Sequence, residues 1–503
     1  MGVGEGGLPA IDAAPARRLA VVDLGSNSVR LVVFEGLARN PVALFNEKAV
    51  LRLGRGIEST GLLGAAAMAQ AKVVLRRYHA VARAMGVGVF EVLATAAVRE
   101  AKNGPAFMDE LAAMLPGVPM TVLSGAAEAK LSTAGVVCGI PQADGILADI
   151  GGGSLELVRL KRGEARETVT LKLGVLRLAE RAGGDLLRAR GLVEAALAEV
   201  GFLREGEGGD LYLVGGAFRA LARIHMTQIG YPLNILHHYS VRREEARDLT
   251  GMVSTIGRRG LERMPGVSRR RIEDLPFAAV VLRRVLRAVQ PRRVVFSASG
   301  LREGWLFRRL PAAVRAEDPL LAWAQQTGTR LGRDPSMPAA LIGWTSPIFV
   351  GETPEARRLR EAACALADTG CLDHPEYRAE LGFKRMLWQP GIGVDHHARA
   401  FLALALAVRY DAAMDAPFLT PARLLLDVAS AARAETLGMA LRLAFSLSAG
   451  TPALLARTRL AIAGERLVLR LEGDGAYAGD GVTRRMETLA LAMGLTAAIE
   501  EGR

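Results

Sequence analysis

The chain has 503 residues, enough for about two to four domains, and 64 Lys and Arg against 52 Asp and Glu give it a formal charge of +12. Half of the residues are hydrophobic and 23% are charged, which excludes a disordered or collagen-like chain. Three cysteines without a CxxC pair exclude a disulfide framework and a thiolate zinc site, and they suit a reducing cytoplasm.

The sequence also argues against a secreted protein and against a membrane protein. Residues 1–17 are acidic and rich in Gly, Ala and Pro, which predicts a flexible leader instead of a signal peptide. Uninterrupted apolar segments are too short to span a membrane, so we expect a soluble, cytoplasmic protein with no membrane partner. The positive charge is nearly all arginine, which fits either a polyanionic partner or coding bias in a GC-rich genome.

Strand-like and helical patterns alternate from Arg18 onward. The predicted elements are strands over LAVVDL and VRLVVFE, a strand at 42–51, a helix at 64–85, a strand at 89–93, a helix at 105–115, a strand at 119–123 and a helix after Gly125. Strands followed by alternating strands and helices predict an α/β domain with a mixed sheet.

The opening pattern returns near Gly145. Residues 23–31 and 149–157 share the pattern D-[LI]-G-x-x-S-x-x-L at an offset of 149 − 23 = 126 residues, each in a predicted hairpin. A third strand is predicted at 164–173, helical patterns dominate 186–289, and further strands are predicted at 211–214 and 293–297. The duplication predicts two related lobes that face each other across a cleft.

Beyond Pro311 the sequence becomes an Ala/Leu/Arg-rich series of helical segments with one predicted hairpin at 457–471. We therefore expect a separate, mainly helical C-terminal domain. The predicted organisation is a leader (1–17), a first lobe (18–136), a second lobe (137–310) and the C-terminal domain (311–503).

Each predicted hairpin turn has the composition of an anion-binding turn. The first turn is Gly25, Ser26, Asn27 and Ser28; the second is Gly151, Gly152, Gly153 and Ser154. Glycine lets the backbone approach phosphate oxygens and permits positive φ. A single turn of this kind is equally an ordinary tight turn, but its repetition after Asp23 and Asp149 favours phosphate binding. These two carboxylates are expected to meet across the cleft and to suit Mg²⁺.

Two further residues lie between the repeats. Arg99 follows a strand end in ATAAVREAKNG and can pair bidentately with phosphate oxygens. Glu128 follows Ser124 in VLSGAAEAKL and can act as a general base for water, although spacing alone equally fits a helix-capping carboxylate. A Walker lysine motif is absent from the sequence, so phosphate must be bound by loops and arginine.

Seven motifs over residues 18–310 resemble the exopolyphosphatase / guanosine pentaphosphate phosphatase family of the actin, sugar kinase and Hsp70 superfamily. They are DLGSNSVRLVVFE, ATAAVREAKNG, VLSGAAEAKLSTAGV, ILADIGGGSLELV, LKLGVLRLAER, YLVGGAFRALARIHM and VVFSASGLREGWLF. The resemblance implies two actin-like (ribonuclease H-like) lobes, Mg²⁺ as the metal, release of terminal orthophosphate from inorganic polyphosphate, and a homodimer. The alternative that it leaves open is hydrolysis of guanosine pentaphosphate in the stringent response. No nucleic-acid partner is expected.

The resemblance also implies roles for individual residues. Glu128 matches the catalytic glutamate, Asp149 and Glu156 match acidic residues of the metal site, and Arg99 matches a phosphate-contacting arginine. The two turns, residues 25–28 and 151–154, match the phosphate loops. Ala127 departs from the family, many members of which have an acidic residue there, so the local negative charge is lower.

Three other segments have less certain roles. Gly215 and Gly216 can open a helix onto a phosphate or ribose, or simply cap and pack it. The arginine-rich stretch from Arg258 to Arg293 can guide a polyanion or form a solvated helix face. The C-terminal domain resembles a degenerate HD phosphohydrolase domain, since Ala367 precedes Asp368 where the dyad histidine would stand, and we expect it to lack catalytic activity.

Overall fold

A computed structural model describes residues 18–473 and 479–502; the predicted leader lies outside this part of the chain. The chain separates into two compact units, Met1–Ala316 and Glu317–Arg503. The division falls in the stretch where the sequence changes to Ala/Leu/Arg-rich helical segments. Within the first unit, two helices described below do not follow the predicted lobe limits.

The first sheet of the N-terminal unit has the strand order β3-β2-β1-β4-β5. Its strands are β1 (Arg18–Leu24), β2 (Ser28–Phe34), β3 (Ala43–Val50), β4 (Val87–Ala94) and β5 (Met120–Val122). Strand β1 pairs antiparallel with β2 and parallel with β4. Its continuous apolar run is typical of a strand with both faces covered: Ala20 and Val22 face one core, Leu19 and Val21 another.

The second sheet repeats this topology. Its strands are β6 (Gly145–Ile150), β7 (Leu155–Lys161), β8 (Glu164–Leu171), β9 (Asp210–Val214), β10 (Tyr239–Arg242) and β11 (Arg293–Phe296), in the order β10-β11-β9-β6-β7-β8. Strand β6 pairs antiparallel with β7 and parallel with β9, as β1 does with β2 and β4. The predicted duplication is therefore confirmed at the level of strand order and direction. The edge strand β10 is an addition that the sequence pattern did not reveal.

Helices cover both sheets of this unit. They are α1 (Ile57–Thr60), α2 (Ala65–Ala84), α3 (Ala96–Glu100), α4 (Gly104–Met114), α5 (Gly125–Gly139), α6 (Val175–Arg181), α7 (Leu186–Ala198), α8 (Gly216–Gln228), α9 (Arg243–Thr255), α10 (Arg258–Arg263), α11 (Leu275–Val289), α12 (Leu301–Phe307) and α13 (Ala312–Ala316), with 3₁₀ turns at Gly201–Gly206 and Arg269–Arg271.

Helices α5 and α12 link the two lobes, and glycines let them pack with their backbones in close contact. A Cβ atom at Gly304 of α12 would lie 1.8 Å from the carbonyl oxygen of Leu131 in α5. Trp305 of α12 is buried against the first sheet. The structure thus differs from the predicted limits: residue 136 falls inside α5, and α12, predicted to belong to the second lobe, packs on the first.

Replacing Gly304 by Ala is expected to lower the free energy of unfolding of the N-terminal unit by about 1–3 kcal/mol or more, because the two helices would have to separate. Gly191→Ala is the matched control: Gly191 also lies inside a helix, α7, but a Cβ there meets nothing within 4 Å. That control is expected to stabilise the unit by roughly 1 kcal/mol. Chemical denaturation of both variants measures the two effects, and equal stabilities would contradict this packing account.

The C-terminal unit is mainly helical with a small sheet. Its helices are α14 (Pro319–Leu331), α15 (Met337–Thr345), α16 (Pro354–Leu366), α17 (Arg378–Trp388), α18 (His396–Arg409), α19 (Thr420–Arg423), α20 (Val428–Ser448), α21 (Pro452–Leu455) and α22 (Asp480–Ala492), with 3₁₀ turns at Ser346–Ile348 and Pro417–Leu419. Strands β12 (Thr458–Ala463) and β13 (Arg466–Glu472) form the predicted hairpin, and β14 (Thr496–Gly502) adds a parallel third strand.

The predicted resemblance of this unit to an HD domain stays a prediction. Asp368 forms a bidentate ion pair with Arg333, with nitrogen–oxygen distances of 2.8 and 2.9 Å. Within residues 18–473 and 479–502, no group of three or more His, Cys, Asp and Glu side chains is placed to hold a metal ion. Among the helices described there, none has the length and apolar content needed to cross a membrane.

Candidate active site

The two predicted anion-binding turns meet in one cavity of about 140 Å³ in the N-terminal unit. The β1–β2 turn contributes residues 25–28 and the β6–β7 turn residues 151–154, and all eight line the cavity. Each turn is closed by a backbone hydrogen bond, from Gly25 to Ser28 at 3.1 Å and from Gly151 to Ser154 at 3.0 Å. The residues that the sequence singled out as two loops therefore form one site.

The glycines of the second turn are needed for space and not for positive φ. None of the four turn glycines has φ in the left-handed region. A Cβ at Gly152 would lie 3.0 Å from the Cβ of Ser26, and one at Gly153 would lie 2.9 Å from its Oγ. The two turns approach each other so closely that a side chain at either position would force them apart.

Three carboxylates line this cavity, Asp23, Glu128 and Asp149, and a fourth, Glu156, lies next to Asp149 but is not among the lining residues. Asp149 and Glu156 are register partners on β6 and β7, and Asp149 accepts a hydrogen bond from Ser132, one turn beyond Glu128 on α5. Burial raises the pKa of Asp23, Asp149 and Glu156, and the nearby carboxylates raise the pKa of Glu156 further. Crowded, buried acids with raised pKa values are typical of a site that receives a cation or a proton.

Glu128 lies in the first turn of α5, whose N-terminus is capped by the Ser124 hydroxyl. Its Oε2 accepts a hydrogen bond from Nη1 of Arg99 at 3.1 Å. Burial raises the pKa of Glu128 to about 7, and Arg99 opposes that rise. Because the cap is supplied by Ser124, the carboxylate of Glu128 is not required for capping and lines the cavity instead.

Arg99 occupies a different position from the one expected of a phosphate ligand. Its Nη1 donates to Glu128 and to the carbonyl oxygen of Leu123, at 2.7 Å, and the residue is not among those that line the cavity. Behind it, Glu100 lies 3.8 Å from Arg99 and 2.6 Å from the buried Arg177 of α6. Arg99 therefore orients Glu128 in this structure and is itself held in a chain of alternating charges.

The carboxylates at the cavity suit a Mg²⁺ ion that has few protein ligands. Glu156 is only 1% exposed, and its Oε1 atom has no hydrogen-bond partner among the described residues. Among the described residues, no three metal-ligating side chains lie close enough together to hold an ion. A pair of carboxylates, Asp149 and Glu156, therefore fits an ion that takes one or two protein carboxylates and completes its octahedron with water and phosphate oxygens.

Cations also line the cavity, and the predicted site residues did not include them. The lining cations are Arg30, Lys48, Arg219, Arg271 and Arg302. Burial, reinforced by neighbouring cations, lowers the pKa of Arg30 and Arg219 to about 10 and that of Lys48 to about 8. Such mutual repulsion among closely placed cations is relieved when an anion enters.

Arg302 is the most exceptional of these cations. It is 7% exposed, and its Nε and Nη1 atoms have no hydrogen-bond partner in the described part of the chain. Five guanidinium donors in a fixed fork match phosphate oxygens, so the free donors of Arg302 provide a binding position for them. A motif quoted in the sequence, SASGLREGW, contains Arg302, but its arginine could not be separated from helix packing.

Gly215 and Gly216 also line the cavity, at the N-terminus of α8. Gly215 has φ 106°, and a Cβ there would lie 2.3 Å from the carbonyl oxygen of Ile150. A Cβ at Gly216 would lie 2.4 Å from Nη2 of Arg271. Gly215 is therefore required by its backbone conformation. Gly216 leaves room for Arg271, one of the cations that line the cavity.

Two sheets of one topology, each presenting a hairpin turn to a shared cavity lined by carboxylates and cations, define an actin-like fold. Solved structures agree. A crystal structure of an exopolyphosphatase from Cytophaga hutchinsonii has a TM-score of 0.53 at 24% identity, covering 58% of this chain and 97% of that one. The Aquifex aeolicus member of the Ppx/GppA family has a TM-score of 0.50 at 22% identity, with 58% and 97% covered. At these identities the likeness shows the fold alone.

The sequence comparisons are more specific. The model of the Ppx/GppA phosphatase family matches residues 32–313, and that of the exopolyphosphatase C-terminal region matches residues 321–499. The chain belongs to the Ppx/GppA phosphatase family, as its motifs indicated. Exopolyphosphatase 2 of Mycobacterium tuberculosis is 34% identical over 174 residues, 33% of this chain and 54% of that protein. Retrograde regulation protein 2 of Saccharomyces cerevisiae is 27% identical over 438 residues, 78% and 72% of the two chains. The chain thus spans about half of the length of the first of these relatives.

Proposed function

We propose that this protein is an exopolyphosphatase that releases terminal orthophosphate from inorganic polyphosphate, with Glu128 as the general base. The observation that supports this most directly is the placement of Glu128. It is a largely buried carboxylate, with a side chain 12% exposed, held by Arg99 in a cavity that also contains both glycine turns and a set of cations. Phosphoryl transfer depends on positioning and charge neutralisation, and this cavity offers both.

In the proposed reaction, Glu128 accepts a proton from water while the water oxygen attacks the terminal phosphorus. The bridging phosphorus–oxygen bond breaks, and its electron pair leaves with the shortened chain. The turns at 25–28 and 151–154 donate hydrogen bonds to the phosphates, and Arg302 and Arg219 offset the charge of the chain. Mg²⁺, held by Asp149 and Glu156, would neutralise charge on the phosphoryl oxygens when bound.

Hydrolysis of guanosine pentaphosphate is the second candidate, because the same cavity would serve both substrates. The observation that favours it is the opening of α8 at Gly215 and Gly216 onto the cavity, which leaves a position for a ribose or phosphate. The absence of any aromatic side chain among the cavity-lining residues described favours polyphosphate, because no ring is present to stack on guanine.

Phosphate release measured side by side on long-chain polyphosphate and on guanosine pentaphosphate tests the proposal. With Mg²⁺ present, we expect kcat/KM to be higher for polyphosphate. A higher value for the nucleotide would reverse the assignment of substrate, and no release from either substrate would reject hydrolysis altogether. The homodimer and the role of the C-terminal unit stay predictions.

A further inference from the structure

A groove between α9 and α11 of the N-terminal unit, which we call the arginine groove, is lined almost entirely by cations. Its residues are Arg243, Arg247, Arg283, Arg284, Arg287, Leu286 and Gln290, around a volume of about 490 Å³. None of them lines the active-site cavity. The groove is therefore a separate concentration of positive charge, outside the residues that the proposed reaction uses.

The spacing of these arginines places like charges next to each other. Arg243 and Arg247 are four residues apart on α9, and Arg283 and Arg287 are four residues apart on α11. Like-charged pairs at this spacing destabilise a helix. Arg284 has a carboxylate within hydrogen-bonding distance, Glu194 at 2.6 Å. A bound anion would relieve the repulsion.

The acids nearest to Arg243 and Arg247 compensate them weakly. Glu244 lies 3.9 Å from Arg243 and Asp248 lies 3.7 Å from Arg247, beyond hydrogen-bonding distance. In the described part of the chain, neither Arg283 nor Arg287 forms an ion pair. Arg283 and Arg287 are therefore the groove cations whose charge is most available to a ligand.

The side chain of Arg283, on α11, occupies a space that Gly251 leaves on α9. A Cβ at Gly251, inside α9, would lie 2.5 Å from Nη1 of Arg283. Glycine in a helix interior is unfavourable relative to alanine, yet here it leaves the space that the guanidinium occupies. An arginine-rich composition alone does not require such a gap, so the guanidinium is held at the groove by a specific local feature.

The groove is also elongated. A neighbouring depression of about 1030 Å³ shares Arg284, Arg287 and Gln290 with it and adds two cations, Arg190 and Arg204, and two acids, Glu194 and Glu207. No aromatic side chain lines either one. Proteins that bind single-stranded nucleic acids combine cations with aromatic rings on which the bases stack, so this surface favours an extended anion that has no bases.

We propose that the arginine groove is a second binding site for inorganic polyphosphate, which captures long chains while their ends are hydrolysed in the active-site cavity. The identity of the chain rests on the proposed function, whereas the preference for an extended anion rests on the groove alone. A second contact region increases the effective concentration of chain ends at the cavity, but only for chains long enough to occupy both.

The test removes two cations and measures binding separately from turnover. Arg283→Gln/Arg287→Gln is introduced into the full chain carrying Glu128→Gln, and binding of long-chain polyphosphate and of tripolyphosphate is measured over a range of salt concentrations. We expect the Kd for the long chain to rise roughly tenfold at low salt with a shallower salt dependence, and the Kd for tripolyphosphate to stay unchanged. With Glu128 intact, KM for the long chain should rise and kcat should not change.

Two further variants separate the groove from net charge and from misfolding. Arg83→Gln/Arg466→Gln removes the same charge from two exposed positions outside the groove and should leave binding unchanged. Gly251→Ala keeps every charge, strengthens α9 and displaces Arg283, so it should weaken long-chain binding by itself.

Equal long-chain affinity in the groove variant and the exposed-arginine control would overturn the proposal. So would a loss of affinity for single-stranded RNA with no loss for polyphosphate. If the groove variants lose polyphosphate binding while the unmodified protein releases no phosphate from it, the groove stands and the proposed hydrolysis fails.

Discussion

Replacing Glu128 by Gln is expected to lower phosphate release from polyphosphate by about 10²–10⁴-fold, because the amide cannot accept the proton of the attacking water. The substitution keeps the size of the side chain, and its amide oxygen can still accept the hydrogen bond from Arg99. Polyphosphate binding should therefore be largely retained. Phosphate release under single-turnover conditions, together with equilibrium binding of the same chain, measures both effects.

Glu355→Gln is the matched control for this variant. Glu355 is also a glutamate in the first turn of a helix, α16, and its ion pair with Arg358 is exposed. It should lose no activity. Full activity in the Glu128 variant would show that the carboxylate serves the N-terminus of α5 and not the reaction, and a different base would have to be sought.

Replacing Arg302 by Met is expected to reduce kcat/KM for polyphosphate by roughly a hundredfold, since hydrogen bonds to charged groups contribute about 1.5–3 kcal/mol each. The thermal stability of the protein should not fall. The reason is that Nε and Nη1 of Arg302 have no hydrogen-bond partner in the described chain, so the substitution breaks none there and removes a charge that is costly to bury.

Arg399→Met provides the contrast. Arg399 is also buried, but its Nη1 donates to the carbonyl oxygen of Gln389 at 2.7 Å. This variant should lower Tm and leave kcat/KM unchanged. If the Arg302 variant also lowered Tm and kept its activity, Arg302 would be a packing residue. Another residue of the cavity would then have to bind the phosphate.

Much of the site could be predicted because its chemistry is repeated. The pattern shared by residues 23–31 and 149–157 identified both turns, and the structure brings them together. The cations that line the cavity could not be predicted in the same way. Arg30, Arg219 and Arg302 come from three distant segments, and in a chain this rich in arginine nothing in the local pattern distinguishes a buried arginine from an exposed one.

The fold was predictable where hydrophobic patterns were long and not where elements were short. Helix α2 and strands β1 and β2 follow their predicted ranges closely. Strand β10 has four residues within a stretch of helical pattern, and β14, which follows α22, has the sequence TAAIEEG, without an alternation of apolar and polar residues. Such strands are determined by the neighbour with which they pair.

The register of the duplicated hairpins has one more consequence. Asp149 faces Glu156 across β6 and β7, whereas Asp23 faces Arg30 at the equivalent place on β1 and β2. One hairpin thus places two acidic side chains opposite each other and its copy an acidic opposite a basic side chain, so a nearly symmetric scaffold carries different chemistry in its two halves. A linear polyphosphate has two chemically identical ends. Because the two ends are identical, either end can enter, and the exchange of one acidic residue for a basic one would determine only where in the cavity the terminal phosphate is bound.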